Sequence, residues 1–496
     1  MRPYLPTSCA LLLIAGLQGC SVGPEYHRPS VQGADKGDWL TTTANPTDTG
    51  ALDLSPWHDL GDPVLMDLLE AAVTHNLDLR EAEANLRDAR AQRDVAAGHK
   101  LPELNASASA SQQQLSANGE LPVNEIPHFN RRFSLFDAGF DASWEIDLWG
   151  GTRRTVESAQ RRLEAADARQ HDALLQVVAE VVRTYAELRG SQASLAATRN
   201  NAQAQQDIAR LVHQRFSAGE ASNLDDAQAT SRAHGAAATV ATLDSAVHAA
   251  SNELALLTGR APESLADLVV NTAAIPLPPA SVAVGLRSDV LRRRPDVRAA
   301  EADLAAATSD VGAQTANLFP TVSLIGSVGQ QAQHTGDLIK GTSTYYNIGP
   351  SLHWPIFAGG SIRAQIRAAD ARADAAAARY EKAVLGALAD SETALNRYAA
   401  ARGTLAEREA ARTASAAALK LAEDRFHAGD DDRVALLEAE TTYDVADQAW
   451  ASAAQDSLEN YAALLKALGG GWVPAGSAGT TAPRLALKES RTSPRP

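Results

Sequence analysis

The residues best able to do chemistry are 12 histidines, two cysteines and 60 carboxylates in a chain of 496 residues. Their spacing writes out no reaction. The histidines form no His-Glu-x-x-His pair and no other metal-ligand spacing, so no metal is expected. Lys340-Gly341-Thr342 reverses the order of a phosphate-binding loop. Gly326-Ser327-Val328-Gly329 lacks the glycine two places before the serine that a nucleophile elbow requires. Two cysteines can build neither a disulfide framework nor a cysteine-rich zinc site. Catalysis finds no support, no cofactor is called for, and the chain is read as a non-enzyme.

One cysteine does carry a chemistry. Residues 1–19 read as an export signal, with Arg2 as the charged start, a short apolar run from Ala10 to Leu17, and Leu17-Gln18-Gly19-Cys20 where cleavage should fall. A Leu-x-Gly-Cys ending resembles the lipobox of bacterial lipoproteins, whose cysteine becomes the lipid-bearing first residue. Covalent lipid on Cys20 is the expectation; the alternative is an ordinary signal peptide that happens to contain cysteines. Ser21 resembles the residue that follows the cysteine in lipoproteins sent on to the outer membrane.

Acids outnumber bases by 60 to 45, for a formal charge of -15, which argues against nucleic acid as a partner. The apolar share of 45% is dominated by alanine and only 5% of residues are aromatic, a composition for long, closely packed helices. No segment after the signal approaches eighteen continuous apolar residues. A chain of this kind crosses a membrane only as a β-barrel.

An internal duplication organises these elements. Residues 76–105 align without a gap on 294–323, pairing Asp78 with Asp296, Arg80 with Arg298, Glu83 with Glu301 and Pro102 with Pro320. Residues 138 to about 188 align on 348 to about 398, pairing Trp144 with Trp354, Gly150 with Gly360 and Arg153 with Arg363. The same offset sets Arg215-Phe216-Ser217-Ala218-Gly219 on Arg425-Phe426-His427-Ala428-Gly429. Two repeats follow, 61–270 and 271–470, each running helix, strand, strand, very long helix and shorter returning helix. The strands are predicted at about 103–115, 133–148, 321–333 and 345–357. The helices are predicted at about 152–217, 223–258, 361–427 and 433–467. A long helix of about 66 residues spans roughly 100 Å, more than a compact domain needs. Alanine and leucine at three- and four-residue spacing point to helices packed side by side, or to solvated helical hairpins over part of the length.

The strands alternate. In the second, Phe136, Ala138, Phe140, Ala142, Trp144, Ile146 and Leu148 oppose Asp137, Asp141, Ser143, Glu145 and Asp147 on the other face. Its duplicate sets Tyr346, Ile348, Leu352, Trp354 and Ile356 against Asn347, Ser351 and His353. A soluble sheet with one wet face shows the same alternation. Trp144 and Trp354 near the strand ends fit an aromatic girdle, and the acids fit a water-filled lumen. Four strands cannot close a membrane barrel, since the smallest has eight. Two copies give a filled eight-stranded barrel and three give twelve strands around a channel; the acidic face favours three.

Here the residues resemble the outer membrane factor family, the TolC-like channels of tripartite efflux pumps. The resemblance rests on Cys20-Ser21-Val22-Gly23-Pro24-Glu25-Tyr26, on Trp57 with Asp62-Pro63-Val64-Leu65, on Asn76-Leu77-Asp78-Leu79, and above all on Arg294-Pro295-Asp296-Val297-Arg298-Ala299-Ala300-Glu301 with Phe319-Pro320. It implies a mainly α-helical fold with a membrane β-barrel portion. It also implies a homotrimer whose twelve-stranded outer-membrane barrel continues into a periplasmic α-helical barrel. Residues 20–60 become a lipidated segment packing on the equatorial region, and 471–496 a flexible tail. The implied partners are outer-membrane lipid, a periplasmic adaptor and an inner-membrane pump. The implied role is passive export of small molecules, with protein secretion as the alternative. A lipid-anchored periplasmic coiled-coil protein is the rival from another class.

Within that frame the helix turns at 215–226 and 425–438 fall at the periplasmic tip. Three copies of Asp430, Asp431 and Asp432 would ring one opening with carboxylates that attract cations, or the same acids would simply cap the returning helix. Val434 and Glu438 match the family's tip-closing positions, with Thr441 in place of its following basic residue. Phe216, Gly219, Phe426 and Gly429 match the tip motif assigned to adaptor docking; the local alternative is turn glycines and helix-stapling phenylalanines.

Overall fold

A computed structural model describes residues 21–31, 39–40, 56–116, 130–279, 282, 284 and 287–470. The signal sequence, Cys20 and residues 471–496 lie outside the described residues.

The first helices are α1 (Pro63–His75) and α2 (Leu77–Gly98). Asp62 caps α1 by accepting from the Val64 and Leu65 amides, with proline at the first helical position, where a missing N–H costs nothing. Asn76 separates the two helices and starts the second, because its Oδ1 accepts from the Asp78 and Leu79 amides while its amide group donates to the Leu257 carbonyl. Strands β1 (Glu103–Gln114) and β2 (Arg132–Ile146) follow, then α3 (Gly151–Ser217) and α4 (Asn223–Leu257). A short α5 (Ala266–Val270) ends the first repeat, and the second runs α6 (Arg287–Arg293), α7 (Pro295–Ala316), β3 (Thr321–Ala332), β4 (Thr344–His353), α8 (Ser361–Ala428) and α9 (Arg433–Ala467). The two long helices have 67 and 68 residues and neither contains a proline. No described helix is long and apolar enough to cross a membrane.

The sheet is a meander ordered β1-β2-β3-β4 with every pair antiparallel. β4 stops at His353, short of the 357 expected from alternation. Pro355 explains this: it has no N–H to offer the ladder, and the Ile356 amide turns back to the Trp354 carbonyl. β2 likewise ends at Ile146, because Asp147 is taken up as a helix cap, accepting from the Thr152 and Arg153 amides of α3.

The chain divides into two compact units, and neither coincides with a sequence repeat. Of the described residues, one holds those within 21–29, 85–167 and 299–381, and the other those within 30–84, 168–298 and 382–470. The second unit contains the main core, where Leu65, Leu68, Val181, Val182, Leu254, Val290, Leu458, Leu464 and Leu465 pack, with Trp57 set edge-on against Tyr461 at 6.0 Å. Both repeats supply that core, so neither buries its apolar face alone. Its helices approach closely: a Cβ added at Gly190 would meet Gln455 at 2.2 Å. In the strand-bearing unit the N-terminal strap from Ser21 to Pro29 starts at the sheet's base, its Val22 amide donating to the Trp149 carbonyl at 3.1 Å, and then follows the helices, where Tyr26 donates to Glu301 and Arg28 to the Tyr380 hydroxyl.

Candidate functional site

The register turns the alternation into two continuous faces. Antiparallel partners project to the same side of a sheet. Phe140 pairs with Ala106 and Val328, Val328 pairs with Tyr346, Ala142 with Leu104, and Trp144 with Leu324. The even-numbered face is thus apolar across all four strands. It is also bare: Leu104, Phe140, Val328, Tyr346, Ile348 and Leu352 are each at least half exposed in the single chain. The odd-numbered face is polar and internally bonded. Ser107 donates to Asp141, and both Gln331 and the Tyr345 hydroxyl donate to Asp137. Tyr345 lies over Gly139 and Gly329, where an added Cβ would come within 2.9 Å of backbone or of the ring, so this polar face is closed to side chains at that level.

The two expected girdle tryptophans occupy equivalent places. Trp144, near the end of β2, donates its indole N–H to the Lys100 carbonyl at 3.0 Å, and Trp354, just past β4, donates to the Leu318 carbonyl at 3.2 Å. Each acceptor lies two residues before the proline that opens the preceding strand. Each indole keeps its ring half in the open with its one polar group satisfied, the arrangement suited to a membrane interface.

The helix turns form a second constellation. Gly219 and Gly429 have φ of 79° and 82°. In each turn the glycine amide donates to Phe216 or Phe426, and the next amide donates back to Arg215 or Arg425, a Schellman closure that needs a left-handed residue. Phe216 is 37% exposed beside His213, whereas Phe426 lies under the Arg433 guanidinium at 5.8 Å. Of the three aspartates after Gly429, two are engaged by arginines. Asp431 pairs with Arg425 at 2.8 Å, and Asp432 pairs with Arg215 of the other turn at 2.7 Å while capping α9 through the Ala435 amide. Arg215 first, and then the Ala435 amide, hold the Asp432 carboxyl below its usual range. Asp430 and Glu438 are exposed and Val434 is half-buried. Asp432 thus does cap the returning helix, and two of the three acids spend their charge within the chain.

Sequence reasoning missed the Arg215–Asp432 clasp, which joins the duplicated turns, and it missed Asp444. That residue, on α9, is 7% exposed, and among the described residues its side chain has no ion pair or hydrogen bond. Burial, and then the Asp447 and Glu440 carboxylates of the same helix, push Asp444 up to about 6. The nearby Arg412 is committed to Asp447 at 2.6 Å and to the Trp450 ring at 4.3 Å. A carboxyl whose folded value exceeds its unfolded one destabilises when ionised, so the cost is present above about pH 6 and gone below about pH 4. Asp444→Asn is expected to raise stability by about 1 kcal/mol near neutral pH, allowing for solvent screening. The gain should vanish in acid. Thermal denaturation at both pH values checks this, and an equal shift at both would refute it.

A sheet apolar on one bare face and polar on the other, followed in each repeat by helices of 67 and 68 residues, defines an outer-membrane channel that reaches into the periplasm. The chain belongs to the outer membrane efflux protein family, which it matches over residues 68–260 and 286–470. It is 32% identical over 418 residues to the pyoverdine export outer membrane protein OpmQ of Pseudomonas aeruginosa, covering 84% of this chain and 87% of that one. It is 30% identical over 474 residues to the toluene efflux pump outer membrane protein TtgF of Pseudomonas putida, covering 93% and 96%. The outer-membrane channel OprN superposes with a TM-score of 0.80 at 35% identity, covering 91% of this chain and all of that one. The protein is accordingly an efflux channel of the outer membrane.

Proposed function

We propose that three copies of the chain join through the unpaired edges of β1 and β4 into a twelve-stranded barrel, anchored by lipid on Cys20. The barrel passively releases small molecules received from a periplasmic adaptor and an inner-membrane pump. The observation that carries this reading is the sheet itself: four strands with both edges open, one face fit for lipid and one for water. Closure abolishes the two edges, as a strand in hydrocarbon requires. Twelve strands enclose an aqueous path where eight would be filled by side chains. Small molecules are favoured over proteins as cargo because related channels carry pyoverdine and toluene in their names. The turns bearing Phe216, Gly219, Phe426 and Gly429 are the proposed adaptor contacts, and Val434 and Glu438 the proposed constriction.

The full-length protein, extracted from outer membranes, is expected to run as a heat-modifiable trimer, to carry lipid released by Cys20→Ala, and to conduct ions in planar bilayers. Deleting its gene should sensitise the cell to small toxic compounds. A monomer silent in bilayers would instead mark a lipid-anchored coiled-coil protein and overturn the proposal.

A further inference from the structure

A cavity of about 750 Å³ lies in the strand-bearing unit where the base of the sheet meets three helix ends. Its volume falls in the range of small-molecule sites. On the sheet side it is lined by Glu103 and Glu145, both on the polar, odd-numbered face. Glu103 pairs with Ser143 in the register, so Glu145 is its diagonal neighbour across the ladder. Two carboxylates so placed repel each other; no lysine or arginine lines the cavity, His99 is its one basic side chain, and Glu103 accepts from the Asn105 side-chain amide at 3.2 Å. Among the described residues the Glu145 side chain has no hydrogen bond or ion pair. The third acid, Asp147, is already spent on Arg153 at 3.1 Å and on the first amides of α3.

The helices add to the negative potential. The last turns of α2 and α7 both line the cavity, through Val95 and Gly98 in one and Gln314 and Ala316 in the other. Their last carbonyls are taken up by the following turn, as in Leu101 to Gly98 and Phe319 to Ala316, so what they bring is the partial negative charge of the helix dipole. The N-terminus of α3 also reaches the cavity, but Asp147 caps it. Apolar surface completes the wall, chiefly Val95, Leu101 and Trp149.

Two carboxylates with no lysine or arginine beside them, two helix C-termini and an apolar flank match one chemical class. We propose that this cavity is a binding subsite for organic cations that carry an apolar body, retained there through Glu103 and Glu145. The subsite rests on the channel reading in one respect: the polar face must line the lumen for cargo to reach it.

The test uses the full-length protein in detergent and tetraphenylphosphonium as the probe. Equilibrium binding by calorimetry is expected to weaken at least about tenfold in the Glu103→Gln/Glu145→Gln double variant, since two Coulombic contacts are lost. Asp137→Asn/Asp141→Asn, which removes two acids from the same face outside the cavity, should keep most of the affinity. Tetramethylammonium, a cation with almost no apolar body, should bind far more weakly than tetraphenylphosphonium. Equal loss in both double variants, or no loss in the first, would overturn the subsite. Conductance of the same preparations in planar bilayers reports separately on the channel reading, so a silent protein that still binds the probe through Glu103 and Glu145 refutes the channel and leaves the subsite standing.

Discussion

Phe140→Arg is expected to deplete the assembled protein from the outer membrane, while Asp141→Arg, one residue away, assembles normally and shifts the channel's ion selectivity toward anions. The two positions are adjacent in β2, with the same backbone environment and opposite faces. Phe140 is 55% exposed in the single chain and sits between Ala106 and Val328 on the apolar face. Arginine directed into hydrocarbon costs about 2–4 kcal/mol near the bilayer midplane, and each copy in an assembly pays it again. Asp141 sits between Asn105 and Ser327 on the polar face and accepts from Ser107. Arginine there stays in water and reverses one charge per copy along the conduction path, which moves ion selectivity with little effect on insertion. The amounts of heat-modifiable protein in membrane fractions and the reversal potential under a salt gradient check the pair. Equal assembly of both variants would disprove the assignment of faces.

The second large effect belongs to Arg294. Its guanidinium is 9% exposed and ties three parts of the chain together. It binds Asp296 through both oxygens at 3.0 and 2.6 Å, reaches Asp390 at 3.4 Å, and donates at 3.0 Å to the Ala467 carbonyl at the end of α9. Ser391 donates to that same carbonyl at 3.0 Å. Removing the guanidinium loses its buried charged hydrogen bond to the Ala467 carbonyl and its packing, while Asp296 and Asp390, both more than a third exposed, return to water, so Arg294→Ala should cost about 2 kcal/mol. Asp296→Ala should cost less, because Asp296 is the more exposed partner, and the double variant should fall short of the sum by at least about 1 kcal/mol. Denaturant midpoints of the four proteins give the coupling directly. Additive losses would show that the two side chains act independently.

How far the sequence foretold this structure depends on the range of each interaction. The alternation in residues 136–146 is written in neighbouring letters, and the even and odd faces appear as read. The duplicated Trp144 and Trp354 are also legible, since identical types recur at one offset. The strand after Tyr345 was read four residues too long because hydropathy ignores the missing N–H of Pro355, which ends the ladder regardless of pattern. Arg294-Pro295-Asp296 stands out as a motif, yet nothing local says that its guanidinium holds a carbonyl 173 positions away. Arg215 and Asp432, 217 positions apart, were each visible as a turn residue, and only the fold reveals them as partners. Asp444 carries no sequence signal at all, being one acid among many on a helix, and burial alone sets it apart. The cavity was equally hidden, because its two glutamates are ordinary members of a polar strand face until the helix ends are placed beside them.

The duplication has a further consequence in its two turns. They share a backbone closure but differ in chemistry: the first begins its returning helix with a Ser222–Asp225 capping box, the second with Asp432 clasped by Arg215. A ring of three chains would display six turns of nearly common shape in two alternating kinds. A binding partner that recognises the shape alone would saturate at six per ring with one affinity. A partner that senses charge would meet three sites of each kind, and its titration would resolve into two equal steps whose separation shrinks as salt is added.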